Sequence, residues 1–183
     1  MGENNRAELT AKELEAKIRL VPDFPKKGVL FLDLTTLFDD AEAFKGVVDI
    51  LVEKFKSARI DHVAGIEARG FVLAGAVAYR LGCGVTMIRK PGKLPWQTVS
   101  ESYELEYGVN EIHIHTDAFK PGDRVLLLDD LLATGGTMGA AIRLTEKLGA
   151  KVAGVAFVVE LCFLNGLKNL PPDQKVFSII KRR

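Results

Sequence analysis

The stretch Val125-Leu-Leu-Leu-Asp-Asp130, running on into Leu131-Leu-Ala-Thr-Gly-Gly-Thr-Met138, sets the architecture of this chain. Its four apolar residues at 125–128 suit a strand buried on both faces, as strands are in a parallel α/β sheet. Asp129 and Asp130 then fall at the carboxyl end of that strand, where open α/β sheets hold their ligands. Thr134-Gly-Gly-Thr137 adds two hydroxyls, two residues free to take positive φ, and N–H groups open to close approach. Met138, Ile142, Thr145 and Leu148 repeat at helical spacing before Gly149, so a helix is predicted to start near Thr137.

A helix N-terminus offers unpaired N–H donors and a favourable dipole to a phosphate, while two neighbouring carboxylates suit a sugar diol or a hydrated Mg²⁺. A phosphoribosyl group carries both features. Asp-Asp or Gly-Gly alone would read as a strand cap or a turn, because such residues dominate turns. Their succession, after an apolar strand and before a helix, points instead to a site. The chain lacks the Gly-Lys-Ser/Thr of a nucleoside triphosphate loop and the G-x-G-x-x-G of a dinucleotide fold.

The 183 residues are 48% hydrophobic, enough for one sizeable core, so a single domain over 1–183 is expected. A formal net charge of +1, with basic residues dispersed apart from Lys181-Arg-Arg183, gives no general attraction to nucleic acid. Cys83 and Cys162 lie far apart in apolar stretches and read as buried thiols of a reducing compartment, the cytoplasm. Residues 1–20 hold no apolar signal core, and no run of apolar residues is long enough for a membrane span. Neither secretion nor membrane insertion is expected.

Thr10 and Glu13 have capping-box spacing, and Leu14, Ile18 and Val21 follow at helical intervals, predicting a helix over 11–20 that Pro22 and Pro25 end. Residues 28–37 read as extended and lead through Asp39-Asp40 into a second helix over 41–56. Beyond it the pattern alternates: strand 62–66, helix 71–81, strand 85–88, a long polar insertion, strand 112–115, a Pro121-Gly122 turn, strand 125–128, a helix, and strand 152–159. Such alternation predicts a mainly parallel central sheet with helices on both faces. The insertion at 90–108 is longer than the dozen or so residues of an ordinary connection, which makes it a candidate lid.

Leu128-Asp-Asp-Leu-Leu-Ala-Thr-Gly-Gly-Thr137 resembles the signature with which type I phosphoribosyltransferases bind 5-phosphoribosyl 1-pyrophosphate (PRPP), and its doubled leucine is similar to the adenine-using branch. Val21-Pro-Asp-Phe-Pro25 with Gly28-Val-Leu-Phe-Leu-Asp-Leu-Thr35, then Gly65-Ile-Glu-Ala-Arg-Gly-Phe71, resemble that branch in the same order. Ile88-Arg-Lys-Pro-Gly-Lys-Leu-Pro95, leading to Ser102-Tyr-Glu-Leu-Glu-Tyr-Gly108, continues the likeness. The resemblance implies the type I phosphoribosyltransferase fold: α/β, a mainly parallel central sheet flanked by helices, a small N-terminal hood within 1–36, and a flexible active-site loop over 90–109. It also implies transfer of the phosphoribosyl group of PRPP to adenine, giving AMP and pyrophosphate, with Mg²⁺ as cofactor and a homodimer as the assembly.

In such a reaction pyrophosphate leaves C1 of ribose as a base nitrogen attacks, through an oxocarbenium-like transition state, so catalysis is mainly electrostatics and positioning. The resemblance assigns pyrophosphate to Glu67, Ala68 and Arg69, through the amides of that turn and the Arg69 guanidinium as a catalytic clamp, with a cis peptide common there. Arg89, Lys90 and Lys93 are further cations for the same group. Asp129 and Asp130 would hold the ribose hydroxyls and organise Mg²⁺ indirectly, while Ala133, Thr134, Gly135, Gly136 and Thr137 bind the 5′-phosphate. Main chain at Leu30 would read the adenine edge, Phe31 and Leu131 pack on the ring, and Glu106 and Tyr107 arrive from the loop, with Glu106 managing the proton.

The chain departs from many relatives at Leu32, where they carry Arg, which bears on base preference. Hypoxanthine, xanthine or orotate as the base, and a PRPP-sensing regulator without turnover, are the alternative readings. The regulator would need a DNA-binding module, for which the segment before Val21 is short. His62, His113 and His115 form no metal-ligand pattern, and Trp96 reads as a surface anchor.

Overall fold

The computed structural model describes residues 9–104 and 108–183, and the chain divides into one unit up to Ile50 and a second from Leu51 to Arg183. In the first, the capping box forms as expected: Glu13 N donates to Thr10 Oγ1 at 3.3 Å and Thr10 N to Glu13 Oε2 at 2.8 Å, starting α1 (Ala11–Glu15). α1 is shorter than its spacing predicts. Ile18 and Val21 fit a helical repeat, but the following residues form β1 (Arg19–Pro22), which pairs antiparallel with β2 (Leu30–Asp33). Pairing with β2, on a segment that holds the β-branched Val21 and ends at Pro22, has overridden the local repeat.

The second half of the predicted extended segment is also helical. Asp33 Oδ1 accepts from Thr35 N at 3.0 Å and from Thr35 Oγ1 at 2.6 Å, and α2 (Thr35–Asp39) follows. Asp40 then caps α3 (Ala41–Phe55), accepting from Glu42 N and Ala43 N at 3.1 and 3.0 Å. Leu32, the departure noted above, is buried on β2.

The second unit holds β3 (His62–Ile66), α4 (Arg69–Leu81), β4 (Gly84–Ile88), β5 (Thr98–Glu104), β6 (Val109–His115), β7 (Arg124–Leu132), α5 (Gly136–Lys147), β8 (Lys151–Leu161) and β9 (Val176–Arg182). Five of the strands form one parallel sheet in the order β4-β3-β7-β8-β9. β7 is central because Val125, Leu126, Leu127 and Leu128 are all fully buried. Each such side chain is stabilised by roughly 1.5–3 kcal/mol over exposure. Val125 and Leu127 join a core cluster with Met138, Ala141 and Ile142 of α5, while by strand alternation Leu126 and Leu128 serve the opposite face.

From β3 the chain crosses through α4 to β4 on one side, whereas from β7 it crosses through α5 to β8 on the other. β3 and β7 are adjacent, so the connections diverge between their carboxyl ends, and a crevice opens there. Two glycines let α4 start close to it. A Cβ on Gly65 would lie 2.6 Å from Gly70 O, and one on Gly70 would lie 2.9 Å from Leu128 O.

The long insertion is not irregular. β5 and β6 pair antiparallel from Thr98↔His115 to Glu104↔Val109, and a reciprocal backbone pair between Arg89 and His113 ties this hairpin to the end of β4. Two further features lie outside the sequence expectations: β9 at the sheet edge, and a pair of short 3-10 helices at Cys162–Leu164 and Gly166–Asn169. Among the described residues no helix is long and apolar enough to cross a membrane.

Gly65→Ala drives a methyl into the Gly70 carbonyl and the Ala74 side chain, the latter 2.8 Å from the added Cβ. We expect it to destabilise the protein by about 1–3 kcal/mol, the usual cost of overpacking, as measured by urea unfolding. An unchanged midpoint would show that α4 does not depend on this approach.

Candidate active site

Three short segments meet at the crevice. The turn after β3 contains Glu67 and Ala68, joined by a cis peptide bond, and Arg69 opens α4. The carboxyl end of β7 brings Asp129 and Asp130, which the longer strand places inside its last turns of pleat rather than beyond it. The third is Ala133-Thr134-Gly135, after which α5 begins at Gly136 with Gly135 at φ 82°.

Arg69 Nε donates to Asp130 Oδ2, joining the turn after β3 to the end of β7 across the divergence point. The Asp130 side chain is 6% exposed, so this pair is well shielded from solvent on the carboxylate side. Asp129 Oδ1 accepts from Asp130 N at 2.9 Å. Burial, followed by the neighbouring Asp130 charge, pushes the Asp129 carboxyl well above the ordinary aspartate range; Arg69 opposes this only in part.

Glu67 has a different set of partners. Its N–H continues the sheet by donating to Ile88 O at 3.0 Å, so the amide expected to face an anion is engaged. Its carboxylate accepts from Arg89 Nε at 3.2 Å, Arg89 Nη2 at 3.4 Å and Lys90 N at 3.1 Å. Burial raises the Glu67 carboxyl, but Arg89 and Lys90 outweigh it and hold the group below its usual range. Arg89 Nη1 also donates to Lys93 O at 2.9 Å, and its guanidinium lies over the Phe71 ring at 5.8 Å. Glu67, Arg89, Lys90 and Lys93 therefore form one connected group, with Glu67 orienting the arginine.

Beside the acids, Asp129, Leu131, Ala133, Thr134, Gly135 and Thr137 line a cavity of about 80 Å³ closed by Met138 and Phe157. That volume suits a single tetrahedral anion. Among the described residues, the N–H groups of Thr134 to Thr137 find no protein acceptor, as expected of a turn that opens a helix. Of the residues expected at the phosphate, Ala133, Thr134, Gly135 and Thr137 line this cavity, while Gly136 lines the neighbouring cleft. A larger cleft of about 560 Å³ lies between Tyr103, Glu104 and Val109 of the hairpin and Gly136, Arg143 and Asn169.

The residues expected at the base fall in both units and in the segment outside the described residues. Leu131 lines the small cavity, whereas Leu30 and Phe31 belong to the first unit, where Leu30 is 51% exposed and the Phe31 ring meets Phe24 edge-on at 5.0 Å. Glu106 and Tyr107 lie outside the described residues. The histidines have structural partners: His115 Nε2 contacts Pro95 O at 2.7 Å, and His113 stands near Thr98 and Glu111. Trp96 is largely exposed. Among the described residues no three His, Cys, Asp or Glu side chains gather as metal ligands.

Sequence reasoning missed Gly166 and Asn169, which pack against the 133–135 turn. An Asn165-Gly166 pair signals a tight turn, but nothing local tells which segment that turn will meet.

Residues 33–182 match the model of the phosphoribosyl transferase domain. The adenine phosphoribosyltransferase of Syntrophotalea carbinolica is 51% identical over 170 residues, 93% of this chain and 99% of its own. Among solved structures, the adenine phosphoribosyltransferase of Thermoanaerobacter pseudethanolicus superposes with a TM-score of 0.91 at 46% identity, covering 94% of this chain and 100% of that one. The enzyme of Saccharomyces cerevisiae, crystallised with D-2,5-dideoxy-2,5-imino-altritol 1,6-bisphosphate and adenine, superposes at 0.86 with 37% identity over 92% of this chain and 97% of its own.

The elevated Asp129 carboxyl makes stability depend on pH. Above about pH 4 the unfolded chain has released this proton while the folded protein keeps it. Asp129 therefore favours the fold most at low pH, and that contribution is lost as pH rises through the elevated value. Asp129→Asn removes the dependence. The ligand-free variant should melt above the parent at neutral pH, with the gap closing toward about pH 4; a constant gap in scanning calorimetry would contradict the assignment.

Proposed function

The chain belongs to the phosphoribosyltransferase family, and on that premise we propose how its residues divide the work of one reaction. The protein is a purine-salvage transferase: it moves the 5-phosphoribosyl group of PRPP to adenine, giving AMP and pyrophosphate. The observation that carries the assignment of roles is the meeting of an anion-sized cavity, two carboxylates and an arginine at the divergence of β3 and β7.

The 5′-phosphate takes the cavity at 133–137, where unpaired N–H groups, the Thr134 and Thr137 hydroxyls and the positive end of α5 meet its charge. Asp129 and Asp130 accept from the ribose hydroxyls. Asp129 and Asp130 would hold Mg²⁺ through substrate and water, and the ion would supply charge neutralisation to PRPP; among the described residues no third such side chain gathers beside them, which fits an ion that keeps substrate and water in its shell. The upward push on the Asp129 carboxyl in the empty cavity would be relieved by positive charge beside it.

Pyrophosphate departs toward the turn after β3. Ala68 and Arg69 offer the first amides of α4, Asp130 orients the Arg69 guanidinium, and Glu67 orients Arg89 beside Lys90 and Lys93. Negative charge grows there as C1 becomes positive, so donors held in place beforehand favour the transition state over the ground state. The hairpin of β5 and β6 is the lid, and its closure excludes water from an oxocarbenium-like centre. Leu30, Phe31, Leu131 and Tyr107 recognise adenine, and Glu106 handles the purine proton.

The assembly is a homodimer. Support comes from Val72 and Tyr79, seven residues apart on α4, and from Val85 and Met87 on the edge strand β4, all about half exposed or more. The setting is the cytoplasm, consistent with two free cysteines.

Pyrophosphate release with PRPP, Mg²⁺ and a panel of bases tests the reaction directly. Adenine should be turned over far faster than hypoxanthine, xanthine or orotate, and no turnover with adenine would defeat the reading. Glu106→Gln should lower kcat by about 10²-fold or more if this carboxylate handles the proton; an unchanged kcat removes it from the mechanism.

A further inference from the structure

We propose that the 3-10 segment Gly166–Asn169 is a clamp on the carbonyl side of the phosphate turn, with Asn169 as a positioning residue for PRPP; this rests on the cradle at 133–137 being the phosphate site. Asn169 Nδ2 donates to Thr134 O at 2.7 Å. On either side of Thr134 the contact with Gly166 is steric. A Cβ on Gly166 would lie 2.2 Å from Ala133 O, and a Cβ on Gly135 would lie 2.2 Å from Gly166 O. A Cβ on Gly139 would likewise lie 2.9 Å from Asn169 O, so the segment also runs along the first turn of α5. Leu170, buried in the core cluster, anchors it from behind.

The consequence follows from peptide geometry. The Ala133–Thr134 and Thr134–Gly135 peptides are trans, and a planar trans peptide points its N–H opposite its C=O. With the Ala133 and Thr134 carbonyls turned toward 166–169, the N–H groups of Thr134 and Gly135 are turned the other way. They then face the anion cavity with no protein acceptor among the described residues. A glycine-bearing turn has enough freedom to flip a peptide and present a carbonyl to the phosphate instead. Holding the carbonyls from outside removes that alternative, so the donors are aligned before the ligand arrives.

Asn169 is itself exposed, so its removal leaves the fold intact and the effect is read on one substrate. Asn169→Ala should raise the KM for PRPP about fivefold, the order expected for one lost hydrogen bond, with kcat and the KM for adenine within about twofold. Gly166→Ala should act in the same direction more strongly where it folds. Thr137→Val is measured alongside, because it removes a hydroxyl from the cradle itself. If Thr137→Val leaves the KM for PRPP unchanged, the phosphate site is misassigned and the clamp falls with it. If Thr137→Val raises that KM while Asn169→Ala leaves it unchanged, or shifts both substrates equally, the clamp alone is overturned.

Discussion

Two adjacent parallel strands whose chains leave in opposite directions are the constraint on which this molecule depends. β3 and β7 share a register from His62↔Val125 to Gly65↔Leu128, and neither connection covers the carboxyl ends between them. Groups that are distant in sequence, Arg69 and Asp130, therefore come within hydrogen-bonding reach without any loop having to be stretched or ordered for the purpose. The sheet core fixes both backbones. Most of the entropy of assembling the site is thus spent in folding rather than in binding.

The same crevice explains the distribution of charge. Each acid near it is placed differently: Asp130 meets Arg69, Glu67 meets Arg89 and the Lys90 amide, and Asp129 accepts from the Asp130 N–H while burial and the Asp130 charge push its carboxyl upward. Glu67 and Asp129 illustrate how magnitude decides sign. Both are raised by burial, but Glu67 has a cation in direct contact and ends low, while Asp129 faces another carboxylate and ends high. A site arranged this way pairs two of its acids with arginines and leaves Asp129 to meet a ligand.

What the sequence made legible was local chemistry joined to strong periodicity. The apolar run at 125–128, the start of α5 beside Gly135-Gly136 and the capping box at Thr10 and Glu13 each needed only a few neighbouring residues to be read. Where the outcome depended on a remote partner, the reading failed. Ile18 and Val21 kept a helical interval, but Arg19–Pro22 entered a ribbon with β2; Thr35–Asp39 became α2 at the end of an apparently extended segment; and β9 formed on an edge supplied by β8. Within the polar insertion at 90–108 no strand was read, because the one it contains, with burial intermediate almost throughout, has no clean alternation. At the candidate site, the acids at the end of β7 and the glycine turn that opens α5 were legible as local structure, whereas the commitment of the Glu67 amide to Ile88 and the packing of Gly166 against Ala133 were not, since both are contacts between distant backbones.

That last contact has an evolutionary side. A side chain on Gly135 would collide with the Gly166 carbonyl and one on Gly166 with the Ala133 carbonyl, so each glycine faces main chain, and both are already the smallest residue available. A bulky replacement in an ordinary core can be rescued by shrinking its neighbour, but here there is nothing left to shrink. The two positions are locked together with no compensating path, so sequence drift in this turn has to go around them.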